Sequence, residues 1–412
     1  MYTLIIYLYA LAAHIAALFN KKVRAMIVGQ HKAFGTLRQA FNTADAYVWV
    51  HAASLGEFEQ GRPLIERIRK ENPNIKILLT FFSPSGYEVR KNYEGADIVC
   101  YLPFDTPLNA RRFLKLAPVK MAFFIKYEFW RNYISELHRL SIPTYSVSSI
   151  FRPEQVFFRW YGKGYARCLQ RITHFFVQNQ QSIDLLKSIG VNQTTLTGDT
   201  RFDRVLDIMR QAKELPIIEA FAKNSNVLIA GSSWGPDEDI FIPYFNQNPK
   251  LKLVIAPHVV NEAHLAEIEA KLQRSSLRYS KATPESAASA DCLIIDCYGL
   301  LSSIYRYATV AYIGGGFGVG IHNVPEAAVY GCPVLFGPNN KRFKEAQDLK
   351  ACEGAFEIKN ATEFKNIITK LLTYDELLRS SGAAAGRYIS SNAGARDMIY
   401  KEIQNILKNV HL

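Results

Sequence analysis

The amino-acid sequence predicts an α/β protein with two doubly wound, Rossmann-like domains. Two observations predict this fold: apolar, β-rich runs alternate with helical stretches beyond residue 45, and a second series of the same kind begins near residue 226. The length agrees with two domains, because 412 residues with 49% hydrophobic content exceed what one core usually holds. We therefore expect two parallel sheets with helices on both faces.

The strand-like runs define the two predicted domains. In the first series they are "AYVWVHA", "IKILLTFF", "ADIVCYL", "VKMAFFI", "IPTYSVSS" and "THFFVQ"; in the second they are "NVLIAGS", "LKLVIAP", "CLIIDC", "TVAYIGGG" and "CPVLFG". We assign residues 21–210 to an N-terminal domain and 211–390 to a C-terminal domain. The stretch from residue 375 is typical of a helix to the chain's end, and we treat 391–412 as a C-terminal helix.

The start of the chain predicts a membrane anchor helix over residues 1–20. The segment "TLIIYLYALAAHIAALF" (3–19) is nearly all apolar and is followed by the basic "NKKVRAMIVGQHK". As a helix it covers about 25 Å, against about 30 Å of bilayer hydrocarbon, so it either spans with snorkelling ends or lies partly embedded. A cleaved signal peptide is the alternative. Because Lys21, Lys22 and Arg24 follow the apolar run, we expect the body of the protein on the cytoplasmic side of the membrane.

The net charge limits the classes of partner to consider, and the cysteine content indicates the cellular compartment. The net charge of +12 and pI near 9.3 favour nucleic acid, an anionic membrane surface or a phosphorylated substrate. No nucleic-acid-binding motif accompanies the charge, so we expect no nucleic acid partner. The six cysteines lack paired metal-ligand spacing, and we interpret them as reduced core residues of a cytosolic protein. The histidines are scattered, and we expect no metal and no cofactor.

Loops that follow strands of the second series are rich in small residues. They contain "GSSWGPDED", "APH", "DCYGLL" and "GGGFGVGIHNVPEAAVYGCPV". Backbone N–H groups and helix N-termini in such loops can hold a phosphate, so we expect this domain to bind a phosphorylated ligand. The glycines do not match a dinucleotide fingerprint or a Walker motif. The alternative is that they only close tight turns.

A set of motifs then resembles one family. The segments "HAASLGEFEQGRPLI", "TFFSPSGYE", "YLPFD", "YEFW", "TGDTRFDR", "GSSWGPDE" and "HNVPEAAVYGCPVLFGP" resemble the bacterial Kdo transferases, which move 3-deoxy-D-manno-octulosonic acid (Kdo) from CMP-Kdo to the lipid A precursor. The resemblance implies a GT-B architecture, with two Rossmann-like domains facing a cleft. The N-terminal domain would receive the acceptor and the C-terminal domain the nucleotide sugar. It implies an inverting glycosyltransferase of lipopolysaccharide biosynthesis.

Glu57 is the candidate general base. An acceptor hydroxyl needs a base within hydrogen-bond reach, and this carboxylate follows a strand within a small-residue turn at a helix start. The resemblance implies the same role. The alternative is a first-turn capping acid.

Two further residues complete the predicted catalytic set. Glu128 follows a buried strand, and the resemblance implies that it assists the transition state. The family commonly has an acid-threonine-acid triplet there, whereas this chain has Lys126, Tyr127 and Glu128. Arg201 lies where the family usually has a basic residue, which can offset charge as CMP departs. Its alternative role is an ion pair with Asp199 or Asp203.

The remaining predicted site residues bind substrates. The resemblance implies donor contacts in three loops of the second domain, formed by Pro257 and His258, by Tyr298, Gly299 and Leu300, and by Asn323, Val324, Pro325 and Glu326. In the last of them, Asn323 can cap a helix whose first turn begins with Pro325. His258 stands where an arginine is usual and Leu300 where an acid is usual, and a buried His258 without a ligand is the alternative. Ser83, Ser85 and Gly86 either bind acceptor or belong to a helix start.

The predicted partners are CMP-Kdo, a phosphorylated lipid A precursor and an anionic membrane surface. Two other functions remain open from the sequence. One is a different membrane-associated GT-B glycosyltransferase that uses a UDP-sugar, and the other is a membrane-tethered protein that binds such ligands without catalysis.

Overall fold

The computed structural model describes residues 2–42 and 45–409. Residue 1 of the predicted anchor, residues 43 and 44 of the predicted N-terminal domain and residues 410–412 of the predicted C-terminal helix lie outside the described residues. The chain divides into two compact units. Unit 1 takes the described residues within Met1–Arg204 and Ala393–Leu412, and unit 2 takes Val205–Asn392.

Unit 1 is a parallel sheet covered by helices. Its strands are β1 (Tyr47–Ala52), β2 (Lys76–Phe81), β3 (Ile98–Tyr101), β4 (Val119–Ile125), β5 (Thr144–Ser149), β6 (His174–Val177) and β7 (Thr194–Leu196). Its helices before unit 2 are α1 (Tyr2–Phe19), α2 (Lys21–Ala40), α3 (Leu55–Glu71), α4 (Pro84–Arg90), α5 (Pro107–Leu116), α6 (Arg131–Arg139), α7 (Lys163–Leu169), α8 (Gln180–Ser188) and α9 (Thr200–Arg210, which continues into unit 2). Short 3₁₀ helices cover Val156–Phe158 and Trp160–Gly162.

The strand order of this sheet is β3-β2-β1-β4-β5-β6-β7, with every pair parallel. The order reverses direction between β1 and β4, where doubly wound sheets place their ligands. The core fills both faces, because β1 contributes buried side chains throughout its length. Trp49 packs on one face with Phe113 and Tyr133, whereas Val50 packs on the other with Phe58.

Unit 2 repeats this plan with a different order. Its strands are β8 (Asn226–Ser233), β9 (Leu251–Pro257), β10 (Ser276–Arg278), β11 (Cys292–Ile294), β12 (Val310–Ile313), β13 (Val334–Phe336) and β14 (Ala355–Glu357). Its helices are α10 (Pro216–Ala222), α11 (Gly235–Gln247), α12 (Glu262–Lys271), α13 (Pro284–Ser289), α14 (Leu301–Ile304), α15 (Pro325–Ala328), α16 (Lys344–Ala351), α17 (Ala361–Thr373) and α18 (Asp375–Asn392), with 3₁₀ helices at Tyr279–Lys281 and Tyr305–Tyr307. The parallel order is β10-β11-β9-β8-β12-β13-β14, and the direction reverses between β8 and β12.

The predicted strand series are confirmed, and three strands were missed. Each predicted run contains a strand, whereas β7, β10 and β14 were not predicted. These three strands lie at sheet edges and have three residues each, with partly exposed side chains. The cysteine prediction needs one correction. All six are free, but Cys352 is exposed and Cys297 is half-buried, so only four belong to the core.

The N-terminal helix α1 has one face packed on unit 1 and one face exposed. Ile6, Ala13 and Ala17 are buried against Met26 and Phe104. The Tyr2 hydroxyl donates to the buried Asp105 carboxylate at 2.6 Å. The opposite face exposes a set of large apolar side chains: Leu4, Ile5, Leu8, Leu11, Ile15, Leu18 and Phe19. None of the helices formed by residues 2–42 and 45–409 combines the length and apolar character needed to cross a membrane.

The junction between α1 and α2 is capped from both sides. The Asn20 side chain accepts from the N–H groups of Lys22 and Val23, which begin α2. Arg24 donates to the carbonyls of Ala17 and Leu18, which end α1. Arg24 therefore holds the two helices together in addition to carrying one of the predicted cytoplasmic charges.

The C-terminal helix breaks where a single helix was predicted. The helix α18 ends at Asn392, and α19 (Ala395–Asn409) begins after Gly394, which has φ +108°. The buried carboxylate of Asp203 accepts from the N–H groups of Gly394 and Arg396 at 2.9 and 3.1 Å. Ile399, Ile403 and Leu407 of α19 complete the core of unit 1.

We expect Asp203→Ala to lower the free energy of unfolding by about 1–3 kcal/mol, because two buried backbone N–H groups lose their acceptor. Urea unfolding followed by circular dichroism measures this loss. The matched control is Asp397→Ala, since the Asp397 carboxylate is 58% exposed in its ion pairs and should contribute little. Equal effects of the two substitutions would contradict the role of Asp203.

Candidate functional site

Glu57 lies in the first turn of α3, directly beyond the carboxyl end of β1. The Ser54 hydroxyl donates to its carboxylate, and Ser54 makes no side-chain capping bond to the backbone. The reciprocal capping box that "SLGE" would allow is therefore not formed. The side chain of Glu57 is half-buried, and a Cβ placed on Gly56 would meet only Ser54 Oγ, at 3.8 Å. The turn thus leaves open space next to a carboxylate that a hydroxyl already orients.

Arg201 is bound to Asp199 in this structure. Its Nε donates to Asp199 Oδ2 at 2.8 Å, and its backbone N–H donates to Oδ1 at 2.9 Å. Gln60 of α3 donates to the same Oδ1 at 3.0 Å, and Asp199 is buried. Of the two ion pairs considered from the sequence, the one with Asp199 is present. This carboxylate fixes the guanidinium of Arg201 and links the first turn of α9 to α3.

The charges of Glu57, Asp199 and Arg201 all act on the phenol of Tyr127. Its pKa is raised, chiefly because the phenol is partly buried, and Arg152 and Arg201 oppose that shift. Asp199 and Glu57 add to it. Glu57 and Arg201 therefore each lie close enough to Tyr127 for their charges to act on its phenol. From the sequence, Tyr127 is distinguished only as a departure from the family pattern.

Glu128 ends a hydrogen-bonded chain that reaches into the core. Trp130 Nε1 donates to Glu128 Oε2 at 2.6 Å, and His51 Nε2 lies 3.2 Å from the same oxygen. His51 Nδ1 lies 2.8 Å from Thr80 Oγ1, which accepts from Trp49 Nε1 at 2.8 Å. With hydrogen on Nε2, the ring donates to the carboxylate and accepts from Thr80 Oγ1. With hydrogen on Nδ1, it donates to the Thr80 carbonyl at 3.1 Å and accepts from Trp130 Nε1 at 3.0 Å. His51 is fully buried, so it holds Glu128 in place.

The backbone before Glu128 is also constrained. Lys126 has φ +65°, in the left-handed region that side chains rarely adopt. Its N–H donates to Val147 O at 2.8 Å, and its carbonyl accepts from Ser149 Oγ at 3.2 Å. Bonds to β5 on both sides of this residue turn the chain sharply at the end of β4 and aim the next two residues.

Ser83, Ser85 and Gly86 form the start of α4. Ser83 accepts from the Ser85 N–H at 3.2 Å, which is a helix cap. A Cβ on Gly86 would lie 2.3 Å from Phe81 Cδ1 and 3.1 Å from the Ser54 carbonyl carbon. Gly86 therefore allows α4 to pack closely against the turn that carries Glu57. The capping role considered from the sequence is observed, and acceptor contact stays a prediction.

In unit 2, His258 belongs to a stack of three rings at the ends of β8 and β9. Trp234 and His258 stack with centroids 4.7 Å apart, and His258 and His322 stack at 4.3 Å. Trp234 Nε1 donates to His322 Nε2 at 3.2 Å. His258 is exposed, so the alternative of a buried His258 is wrong. Trp234 and His322 were not predicted as site residues, although both lie in loops singled out for small residues.

The glycine-rich loop after β12 is held by a buried acid. Asp237 accepts from the N–H groups of Gly315 and Trp234 and from the Tyr312 hydroxyl, at 2.8, 3.0 and 2.9 Å. Burial raises the pKa of Asp237, and these bonds oppose the shift. A Cβ on Gly314 would lie 2.2 Å from Ser232 O. Close backbone packing thus explains part of the glycine pattern, and the Gly315 amide is occupied by Asp237.

The other predicted donor-binding residues include two further loops, one before α15 and one before α14. Pro325 begins α15 as predicted, but Val324 is the residue before the helix, and the Asn323 side chain donates to Glu326 Oε1 at 2.6 Å. The predicted cap by Asn323 is wrong, because Val324 occupies the N-cap position and no side chain caps the helix. Tyr298 is 72% exposed, and its hydroxyl accepts from the Val260 N–H at 3.0 Å.

Gly299 and Leu300 complete the loop between β11 and α14. Gly299 has φ +91°, and open space surrounds the position of its Cβ. Leu300 precedes α14, and its carbonyl accepts from Ser303 and Ile304. Pro257 is the last residue of β9. Among residues 2–42 and 45–409 no cluster of three or more metal-ligating side chains is present.

Comparison with known proteins shows which family the chain resembles. A family model described as 3-deoxy-D-manno-octulosonic-acid transferase (kdotransferase) matches residues 29–204. The 3-deoxy-D-manno-octulosonic acid transferase of Aquifex aeolicus (strain VF5) is 25% identical over 345 residues, which cover 82% of this chain and 89% of that protein. The Bordetella pertussis transferase is 27% identical over 371 residues and covers 85% of each chain. The chain is therefore similar to Kdo transferases over more than four fifths of its length.

Solved structures show the fold that this chain shares with other proteins. A UDP-GlcNAc 2-epimerase from Neisseria meningitidis bound to UDP-GlcNAc aligns with a TM-score of 0.62 and 15% identity, covering 87% of this chain and 100% of the epimerase. MurG from Acinetobacter baumannii aligns with a TM-score of 0.55 and 14% identity, covering 88% and 99%. These likenesses show a GT-B-like fold of two parallel-sheet α/β domains. At sequence identities this low, the likenesses show the fold alone.

The His322 ring supplies a testable pKa. Burial holds the pKa of His322 below its ordinary 6.5, and His258 lowers it further. We expect His258→Ala to raise the His322 pKa toward that value, as measured by NMR titration of the imidazole Cε1–H. Because the pKa of His322 is lowered in the folded state, the neutral ring favours folding. This contribution to the free energy of unfolding is complete above pH 6.5 and is lost as pH falls through the folded-state pKa.

His174 is the control for this titration. Burial also lowers the pKa of His174, but that residue lies in unit 1 on β6. Its pKa should not change in the His258→Ala variant. A His322 pKa that stays fixed as well would contradict the stacking contact.

Proposed function

We propose that this chain moves Kdo from CMP-Kdo to a phosphorylated lipid A precursor of the lipid IVA type, with inversion at the anomeric carbon, in lipopolysaccharide biosynthesis. The observation that carries the proposal is the carboxylate of Glu57. It lies in an open first turn at the reversal point of the unit 1 sheet, within the residues that the family model matches. Similarity to Kdo transferases supports glycosyl transfer, and the acceptor, the stereochemistry and the base are what we add.

In the proposed step, Glu57 accepts the proton of the acceptor hydroxyl. The hydroxyl oxygen forms a bond to the anomeric carbon while the bond from that carbon to the CMP phosphate oxygen breaks, and CMP leaves with the electron pair. A single displacement with one base inverts the anomeric centre. The N-terminus of α3 favours the ionised carboxylate, and the Ser54 hydroxyl orients it.

Glu128 and Arg201 complete the proposed chemistry. Glu128, held by His51 and Trp130, would stabilise positive charge that develops on the sugar ring in the transition state. Arg201, oriented by Asp199, would offset negative charge on the departing phosphate. Each group acts from a fixed position, so little reorganisation accompanies the reaction.

For the donor, we propose contacts with the loops that end β9, β11 and β12. His258 is exposed and stacked on two further rings, which keeps its imidazole in one orientation for the nucleotide. The other residues of these loops that we propose as donor contacts are Pro257; Tyr298, Gly299 and Leu300; and Asn323, Val324, Pro325 and Glu326. Protection of the enzyme by CMP but not by UDP would support this donor, whereas protection by UDP alone would favour a UDP-sugar enzyme.

We expect Glu57→Gln to lower turnover of CMP-Kdo with the lipid acceptor by about 100-fold or more, because loss of a positioned base has effects of that size. CMP binding and thermal stability should stay unchanged. The matched control is Glu66→Gln on the same helix, where the carboxylate forms a partly exposed ion pair with Arg62. Near-normal turnover in Glu57→Gln would remove Glu57 from the mechanism.

We also propose that the transferase works at the inner membrane, with its catalytic units on the cytoplasmic side. The exposed apolar face of α1 is wide enough to lie in a bilayer interface, and no acidic residue occurs before Asp45. Five cations, Lys21, Lys22, Arg24, Lys32 and Arg38, fall in the same segment. Such a surface would bind anionic lipid through both its apolar and its charged side chains. Trp160 and Tyr161, exposed at 85% and 62%, would add interfacial aromatic contacts.

Replacing Leu8, Leu11 and Ile15 together by Gln should weaken binding to vesicles of anionic phospholipid by at least about tenfold, because apolar burial is lost. Vesicle flotation measures the bound fraction. Binding of the unaltered chain should fall as salt is added, since charges more than about 8 Å apart are largely screened at physiological ionic strength.

The control for this experiment replaces Leu140, Leu196 and Ile406, which are exposed elsewhere in unit 1, by Gln. This variant should bind vesicles normally. Equal loss in both variants, or binding that ignores salt, would contradict the proposed membrane surface.

A further inference from the structure

A cavity of about 440 Å³ lies in unit 1 among α1, α2 and the start of α5. Tyr7 and Ala10 of α1 form one wall, and Ile27 and Phe34 of α2 form another. Phe104 lies between them. This volume is within the range of small-molecule sites, about 300–1,000 Å³. None of the residues described here for the proposed transfer reaction lines it.

The cavity has an apolar wall that continues to the exposed face of α1. Tyr7 and Leu108 both line the cavity and are exposed at 51% and 71%. Leu8 and Leu11, the neighbours of the α1 wall along that helix, are exposed as well. A hydrocarbon chain that enters here would pass from one apolar surface to another.

One buried amide in the wall has no partner. Gln30 of α2 is 5% exposed, and neither its Oε1 nor its Nε2 has a hydrogen-bond partner among the described residues. An unpaired buried amide costs free energy, and native proteins usually satisfy such groups. A ligand that brings an ester with a hydroxyl beside it would supply an acceptor for Nε2 and a donor for Oε1.

The rim is basic. Arg112 lines the cavity with its guanidinium carbon 4.1 Å from the Phe34 ring centroid, and no carboxylate pairs with it among the described residues. His14 Nδ1 donates to Ala10 O at 2.7 Å, so His14 Nε2 accepts from His31 Nε2 at 3.2 Å. Of the described residues that line the cavity, none is acidic. The charge therefore favours an anion near the opening.

We propose that this cavity binds the acyl chain of an anionic lysophospholipid, whose glycerol keeps a free hydroxyl beside the acyl ester. The chain packs against Ile27, Phe34 and Phe104, the acyl ester and a neighbouring hydroxyl pair with Gln30, and the phosphate binds Arg112. This inference is independent of the proposed sugar transfer, because it requires neither the sugar nucleotide nor the catalytic carboxylate. It would hold the protein to single lipid molecules in addition to the bilayer surface.

The test is native mass spectrometry of the full chain from a neutral detergent, with lauroyl-lysophosphatidic acid as the probe. We expect one bound molecule per chain. Inorganic phosphate alone and monolauroylglycerol alone should bind at least about tenfold more weakly, because each lacks one half of the contacts. Equal binding of phosphate would show an anion site without a chain, and equal binding of monolauroylglycerol would show that the phosphate makes no contact. Either result overturns the proposal.

Variants localise the probe. Ala10→Phe, which fills the cavity, and Arg112→Gln, which removes the cation, should each weaken binding about tenfold or more. Their matched controls are Ala12→Phe and Arg111→Gln, since Ala12 and Arg111 are exposed and lie outside the lining. Normal binding in Ala10→Phe, or equal losses in the controls, would contradict the site.

Gln30→Leu separates binding from folding. If the Gln30 amide is satisfied only by ligand, this substitution should keep or raise the melting temperature of the free protein while it weakens probe binding severalfold. A lower melting temperature with unchanged probe binding would mean that the amide serves the fold alone, and the proposal would be wrong.

Discussion

The parallel pairing of β1 with β4 is the constraint on which unit 1 depends. The two strands lie side by side, with His51 in register with Phe124, and the chain leaves them toward opposite ends of the sheet. The connections that follow therefore separate and leave room between them. Glu57 follows one strand and Glu128 follows the other, so the same pairing that builds the core also positions the two carboxylates. Side chains in the next layer then fix them: Ser54 for Glu57, and His51 with Trp130 for Glu128.

The strands of the sheet interior could be predicted because their side chains are buried on both faces. The run "VKMAFFI" has only one exposed residue and corresponds to β4 in full. Edge strands such as β7 give no such signal, since they are three residues long and half-exposed. Glu57 and Glu128 could be found from loop position and family resemblance. His51 could not, because its partners Thr80 and Glu128 are brought to it by the fold across long stretches of sequence.

The glycine-rich loop of unit 2 illustrates a second limit of sequence patterns. Small residues permit the close approach of either a ligand or another backbone segment, and the sequence pattern is the same in the two cases. Here Gly314 meets the backbone of Ser232, and the Gly315 amide is taken by Asp237. The ring stack of Trp234, His258 and His322 was hidden for a related reason, because its members come from three different loops. Such contacts depend on tertiary structure and leave no spacing to detect.

The return of the chain to unit 1 has a consequence for how the protein is made. Ile399, Ile403 and Leu407 of α19 fill the core face next to α3, and Asp203 receives the N–H groups at the start of that segment. Val205–Asn392 must therefore leave the ribosome before this face can close. At about 5–20 residues per second, translation keeps the apolar side of α3 uncovered for several seconds at least. Chaperones that bind exposed apolar helices would meet unit 1 during that interval, and unit 2 would be the first of the two to fold to completion.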